Sequence, residues 1–172
     1  MRIILVRHGI AEERAESAVG GLADDERTLT EKGRSRMRRG AQGLLRMIPK
    51  IEIIATSPYR RAVQTAEIVH RLYAGAAVQT LPALAPGKGP KAVTDWLRGQ
   101  DPLSTVALVG HEPDLSRLVA HLADGGSRAF TSLGKGGVCV LDTDGRPEPR
   151  GAVMQVLVPP DWLRKLRLRK PS

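Results

Sequence analysis

Residues 3–9 read Ile3-Ile4-Leu5-Val6-Arg7-His8-Gly9 (IILVRHG). The four apolar residues, three of them β-branched, are typical of a strand that is buried on both faces, as strands of parallel sheets are. The run then changes abruptly to a cation, an imidazole and a glycine. Because ligands of open α/β sheets bind at the carboxyl ends of the strands, the stretch predicts a buried first strand with a polar site at its end.

Further apolar runs follow, and helical patterns separate most of them. The predicted strands cover residues 2–6, 51–55, 78–81, 106–109, 138–141 and 153–158. This alternation predicts an α/β fold, a three-layer sandwich with a mostly parallel central sheet and helices on both faces. Neither a repeat nor a linker interrupts the pattern, so we expect a single domain over residues 1–172, with a basic C-terminal tail at 160–172.

Four helices are predicted from capping residues and apolar spacing. Thr30 is the expected N-cap of the first and Ser57 of the second. The third covers residues 91–97, and the fourth lies between Pro113 and Gly125. The loop at 142–151 (DTDGRPEPRG) is typical of a hairpin between the last two strands.

Composition narrows the class of protein. The chain has 172 residues, of which 41% are hydrophobic and 26% charged, and this balance is typical of a globular protein. No apolar run approaches the ~20 residues of a membrane span, and the first residues lack a signal-peptide pattern. The single cysteine, Cys139, lies in an apolar run and is expected to be buried. These features predict a cytoplasmic protein without a membrane partner.

The formal net charge of +9 calls for an explanation. Basic residues cluster at 34–39 (RSRMRR) and at 164–170 (RKLRLRK). Such clusters attract nucleic acid, acidic lipid or an anionic substrate, but we favour the simpler interpretation of a solvated helix face and a basic tail. Only 3% of residues are aromatic, and none interleave with the basic clusters, so nucleic acid is not the expected partner.

The candidate catalytic side chains lie at the ends of three predicted strands. The first ends on Arg7-His8-Gly9, the second leads into a helix that carries Arg60 and Arg61, and the fourth ends on Gly110-His111-Glu112. Two of the four histidines therefore fall at matching strand ends. The other two, His70 and His121, lie within helices and are expected to be ordinary helix residues.

This set of side chains suits phosphoryl transfer. Arginine matches phosphate oxygens bidentately, and a helix that begins at Ser57 would add N–H groups and a positive dipole end. A neutral imidazole is a competent nucleophile, and nearby cations oppose protonation of His8. We therefore expect His8 to attack phosphorus, with His111 donating a hydrogen bond to the phosphoryl group or holding His8 in position.

Two other readings of the same residues remain. Two histidines suggest a metal site, but a second cation is repelled by Arg7 and Arg61, and the sequence has no His/Cys ligand cluster. Ser57 is a candidate nucleophile, but N-cap serines are common and no G-x-S-x-G context surrounds it.

The motifs together resemble the histidine phosphatase superfamily, also called phosphoglycerate-mutase-like. The resemblance covers residues 1 to about 122 in four ordered segments, namely LVRHG, RTLTEKG, TSPYRRAVQTAEIV and LVGHEPDL. It implies that His8 is the phosphorylated nucleophile and His111 the second catalytic histidine. It further implies that Arg7 and Arg61 bind phosphate, together with His111 and Gly9, and that no cofactor or metal is required.

Within that superfamily the compact chain looks most like the SixA-type phosphohistidine phosphatases. Mutase-like members carry a glutamate general acid after the second arginine segment, whereas no acidic residue lies between Glu67 and Asp95 here. Alkoxide leaving groups need such a proton, but imidazole, with an ordinary pKa of ~6.5, is protonated near neutrality. The resemblance thus implies hydrolysis of phosphohistidine on a protein such as a histidine phosphocarrier.

Two alternatives belong to other functional classes. One is a phosphomonoesterase for small metabolites or nucleotides, with Glu12, Glu13 or Glu112 as the acid. The other is a non-catalytic polyanion-binding module, for which the net charge would be the main feature.

Overall fold

The computed structural model describes residues 1–13, 21 and 23–166. Six strands form one mixed sheet in the order β3-β2-β4-β1-β5-β6. They are β1 (Arg2–Arg7), β2 (Ile53–Thr56), β3 (Ala77–Thr80), β4 (Thr105–Gly110), β5 (Val138–Thr143) and β6 (Ala152–Val158). The first four are parallel, and β5 and β6 join them antiparallel as a hairpin. Each predicted strand is confirmed to within two residues at either end.

Helices cover both faces of the sheet, as predicted. They are α1 (Glu31–Met47), α2 (Arg60–His70), α3 (Pro90–Arg98), α4 (Asp114–Asp124) and α5 (Pro160–Lys165). Ile4 and Val6 share one core cluster with α1, α2 and α5, whereas Ile3 and Leu5 share the other with α3 and α4. Successive residues of β1 thus enter opposite cores, which explains the uninterrupted apolar run.

The predicted N-cap is confirmed for α1 and wrong for α2. Thr30 Oγ1 accepts a hydrogen bond from Gly33 N at 3.0 Å, as an N-cap does. The second helix begins only at Arg60, after an extended Tyr59, and no side chain caps it. Ser57 lies directly after β2, and its N–H still donates across to β4, to Val109 O at 2.9 Å.

The predicted basic tail is in part a packed helix. Residues Pro160–Lys165 form α5, and Leu163 is buried against α1. The approach is close, since a Cβ added to Gly43 would lie 1.9 Å from Leu163 O. Residues 167–172 of the predicted tail lie outside the described residues. Within the part of the chain that the structure covers, no helix has the length and apolarity to span a membrane.

The strand register places the site. Arg7 pairs with Gly110 across β1 and β4, and Thr56 pairs with Val109 across β2 and β4. Since these three strands are parallel and adjacent, their carboxyl ends meet at one edge of the sheet. The residues that follow, including His8, Ser57 and His111, are therefore brought together.

Candidate active site

The imidazole of His8 has a defined orientation at the end of β1. The ring is 7% exposed, and its Nδ1 atom lies 2.7 Å from Gly9 O. A carbonyl only accepts, so Nδ1 carries the proton and Nε2 presents its lone pair. Arg61 Nε donates to His8 Nε2 at 3.3 Å. The unprotonated nitrogen of His8 therefore faces a cation.

Gly9 has a packing role next to this nitrogen. Its N–H donates to Thr65 Oγ1 at 3.1 Å, and the Thr65 hydroxyl donates to Arg61 O at 2.7 Å. A Cβ added to Gly9 would lie 2.6 Å from Met37 Cγ, so a larger residue here forces the Met37 side chain to move. Gly9 was expected to help bind phosphate, and the structure shows that its N–H is already bonded within the protein.

Arg61 is buried and held on several sides. It is 4% exposed, and its Cζ atom lies 4.9 Å from the centroid of the Tyr59 ring. Nη1 donates to Asp24 O at 2.5 Å, and Nη2 donates to Asp24 Oδ2 at 3.2 Å. The neighbouring Arg60 is exposed and lines an outer groove of about 610 Å³. Of the two adjacent arginines, only Arg61 faces His8.

Arg7 and His111 complete the cluster. Arg7 Nη1 donates to Leu133 O at 2.7 Å. The His111 ring lies 5.0 Å from the His8 ring, centroid to centroid, and its Nε2 shares a 2.8 Å hydrogen bond with Ser57 Oγ. Arg7 Nε and His111 Nδ1 are buried and have no hydrogen-bond partner among the described residues. Buried polar atoms without a protein partner are suited to receive a ligand.

Both histidines are neutral near pH 7. The pKa of His8 falls to about 3, chiefly through burial and then through the charge of His111, with Arg61 and Arg7 adding less. The pKa of His111 also falls to about 3, again chiefly through burial and next through Arg61. Cations were expected to keep His8 neutral, and the structure shows that burial contributes more.

The candidate acids are engaged elsewhere. Glu12 accepts hydrogen bonds from Thr28 N and Thr28 Oγ1, both at 3.1 Å. Glu112 accepts from Ser116 and Leu133, and Glu13 is exposed.

Asp24 reaches Arg61, but its pKa is lowered. Burial alone would raise it, and the hydrogen bond from Arg27 together with the charges of Arg61 and Arg27 outweighs that effect. An ionised Asp24 is a poor proton donor.

A metal site finds no support in the side chains that the structure describes. They contain no group of three or more His, Cys, Asp and Glu residues placed to hold a metal ion. His70 and His121 lie in α2 and α4, as expected.

Sequence reasoning missed several neighbours of the site. Asp24 and Tyr59 orient Arg61, Ser57 contacts His111 instead of capping a helix, and Leu133 O holds Arg7. Tyr59 and Ser57 stand in the TSPYRRAVQT segment, which offers a signal. Asp24 and Leu133 lie in irregular loops, where no periodic pattern marks a contact.

This fold and this site define a class: an α/β protein with two neutral histidines and two arginines at the carboxyl edge of a parallel sheet. The sequence model of the histidine phosphatase superfamily (branch 1) matches residues 3–85. The phosphohistidine phosphatase SixA of Escherichia coli is 30% identical over 128 residues, which cover 73% of this chain and 76% of that protein. The chain belongs to the histidine phosphatase superfamily, and its phosphatase chemistry follows from that membership.

A further sequence relative and a solved structure are also similar to this chain. An uncharacterised protein of Picosynechococcus sp. is 37% identical over 143 residues, covering 82% of this chain and 84% of that protein. The solved structure of the protein histidine phosphatase SixA complexed with tungstate superposes with a TM-score of 0.77 at 25% identity, covering 94% of this chain and 98% of that one.

Proposed function

We propose that this protein is a metal-independent phosphohistidine phosphatase that works through a phospho-His8 intermediate. The observation that carries the proposal is the orientation of His8. Its Nδ1 is bonded to Gly9 O, so Nε2 is unprotonated and its lone pair accepts a long hydrogen bond from Arg61 Nε. A neutral, oriented nitrogen beside a guanidinium is suited to attack a phosphoryl group.

The reaction has two displacements. His8 Nε2 attacks phosphorus, the bond from phosphorus to the substrate imidazole breaks, and the leaving imidazole takes a proton from water. Water then attacks phospho-His8 and releases inorganic phosphate, which restores the imidazole. Arg61 and Arg7 stabilise the charge on the transferring oxygens, and His111 borders the same space. The SixA structure that holds tungstate, an oxyanion, supports an oxyanion site in this fold.

The carboxylates support phosphohistidine over alkyl phosphates as substrate. Asp24 is the carboxylate bonded to Arg61, and its lowered pKa keeps it ionised at neutral pH. Glu12 and Glu112 are hydrogen-bonded to Thr28, Ser116 and Leu133. These carboxylates would not supply the proton that an alkoxide leaving group needs. An imidazole leaving group is protonated near neutral pH without an acid from the enzyme.

A basic rim supports a phosphorylated protein as the partner. We further propose that the reaction takes place in the cytoplasm, which the unpaired, buried Cys139 favours. The rim consists of Lys32 and Arg36 on α1, Lys135 before β5, and Arg164 on α5. Lys135 lines two adjoining clefts beside Gly9 and Ile10, and the other three rim residues line one or the other. Helices that return from a parallel sheet begin at its carboxyl edge, so Lys32 lies at the edge that carries His8. An acidic histidine phosphocarrier complements such a rim.

The deciding experiment compares kcat/KM for a protein phosphorylated on histidine with kcat/KM for a sugar phosphate. We expect a clear preference for phosphohistidine, with His8→Ala as the control for spontaneous hydrolysis. A preference for the sugar phosphate would reject the substrate assignment while leaving the His8 mechanism intact. Binding without turnover of either substrate would favour the polyanion-binding alternative.

A further inference from the structure

Glu112 is linked to Arg7 through the backbone of one residue, Leu133. Glu112 Oε1 accepts a hydrogen bond from Leu133 N at 3.1 Å. The carbonyl of the same residue, Leu133 O, accepts from Arg7 Nη1 at 2.7 Å. That contact is the one hydrogen bond that the Arg7 guanidinium makes among the described residues.

The link matters because Leu133 stands outside regular secondary structure. Residues 126–137 connect α4 to β5 without a helix or strand, so no ladder fixes the Leu133 peptide. Its side chain is 1% exposed and belongs to the core. The backbone N–H and C=O of a buried loop residue need hydrogen-bond partners, and Glu112 accepts from the N–H of Leu133 while Arg7 donates to its C=O.

Glu112 also acts on Arg7 by its charge. Burial lowers the pKa of Arg7, and the negative charge of Glu112 opposes that shift. The same carboxylate oxygen accepts from Ser116 Oγ at 2.8 Å, in the first turns of α4. Glu112 is therefore anchored on a helix and holds the loop that holds the arginine.

We propose that Glu112 is a positioning residue for Arg7: through the backbone N–H and C=O of Leu133 it keeps the guanidinium beside His8 in the geometry that binds the phosphoryl group. The proposal rests on the proposed function in one respect, that Arg7 binds that group. It gives Glu112 a role different from that of a general acid, because its contacts lie with Leu133 and Ser116.

Three variants test the proposal with two substrates and one oxyanion. Glu112→Ala removes the acceptor for Leu133 N, Glu112→Gln retains an acceptor oxygen, and Ser116→Ala removes only the bond to α4. The readouts are kcat and KM on a phosphohistidine peptide and on p-nitrophenyl phosphate, and the inhibition constant of tungstate.

We expect Glu112→Ala to weaken tungstate binding and to lower kcat/KM about 10²-fold on both substrates, because misplaced binding groups cost that much. Glu112→Gln and Ser116→Ala should stay within about threefold of wild type, the effect of one weakened hydrogen bond. If Glu112→Ala does not fold, Glu112→Asp retracts the acceptor by one methylene and should raise the tungstate constant in the same direction.

Unchanged tungstate affinity in the Ala or Asp variant would overturn the proposal. The proposal would also be overturned if Glu112→Gln lost as much activity as Glu112→Ala on p-nitrophenyl phosphate but not on the phosphohistidine peptide. That pattern identifies a general acid. Absence of phosphohistidine turnover in the wild type would instead reject the proposed function, and the tungstate and p-nitrophenyl phosphate measurements would still decide the role of Glu112.

Discussion

Arg61 Nε lies 3.3 Å from His8 Nε2, so the guanidinium and the imidazole share one hydrogen bond. In the proposed mechanism, a phosphoryl group that approaches Nε2 enters between the two side chains. The hydrogen bond from Nε is then transferred to a phosphoryl oxygen, and the lone pair of His8 is released for attack. The pair is thus arranged to exchange a weak internal contact for a charge-assisted one.

Replacing His8 by Ala should abolish turnover, with a loss of at least about 10⁴-fold in kcat/KM, because no other oriented nucleophile remains. His121→Ala in α4 is the matched control and should retain activity. Labelled phosphate trapped on the wild type should be acid-labile and base-stable and should map to His8. An active His8→Ala enzyme would end the nucleophile assignment.

Substitutions of the two adjacent arginines should differ sharply in their effect on kcat/KM. Arg61→Ala should cost about 10²–10³-fold in kcat/KM, as removal of a transition-state donor does, whereas Arg60→Ala, on the exposed side of α2, should cost less than about tenfold. Steady-state kinetics on one substrate, with thermal unfolding of both variants as a control, make the comparison. Equal losses, or a larger loss for Arg60, would contradict the assignment.

The two histidines should not titrate near neutrality. We expect the imidazole NMR signals of His8 and His111 to stay in the neutral form from about pH 8 down to about pH 5, because their pKa values lie at about 3. Assignments come from single His→Gln variants. A midpoint near ~6.5, the value of an unperturbed histidine, would show that burial does not control these groups.

The same pKa values determine how stability depends on pH. Between the unfolded value of ~6.5 and the folded value of about 3, the unfolded chain binds more protons than the folded one. The free energy of unfolding should therefore fall as the pH drops through this window. Urea unfolding at several pH values measures the slope, which should flatten in His8→Gln.

Charge on the basic rim should accelerate the reaction with an acidic phosphoprotein. Lys32→Glu should lower kcat/KM at low salt, and added salt should shrink the difference from wild type. Arg46→Glu is the matched control, because it is exposed on the same helix about 21 Å away at 1.5 Å per residue. Equal effects of the two variants would reject a local docking role.

Chelation should leave activity unchanged. The side chains that the structure describes offer no metal cluster, and the proposed mechanism stabilises charge with Arg7 and Arg61. Activity before and after EDTA treatment, with divalent ions added back, tests this expectation. Loss on chelation and recovery with one metal would overturn the metal-independent mechanism.

The sequence by itself determined the three-layer architecture and the edge of the sheet that carries the candidate active site. Apolar runs such as 3–6 require cover on both faces, and the alternation of strands and helices supplies that cover. The residues after β1 and β4 then share one edge, whatever the details of packing. The strand ends predicted Arg7, His8 and His111 at this edge, the motif resemblance implied Arg61, and the fold brings His8, Arg61 and His111 into contact.

Only the tertiary structure decided what each side chain contacts. Ser57 fits an N-cap pattern, yet its N–H donates across to β4 and its hydroxyl bonds to His111. Glu112 and Leu133 are 21 residues apart, and their contact depends on how a loop packs. Local periodicity reports which face of an element is buried, whereas hydrogen bonds between distant loops depend on the closure of the whole chain, so the sequence pattern does not encode them.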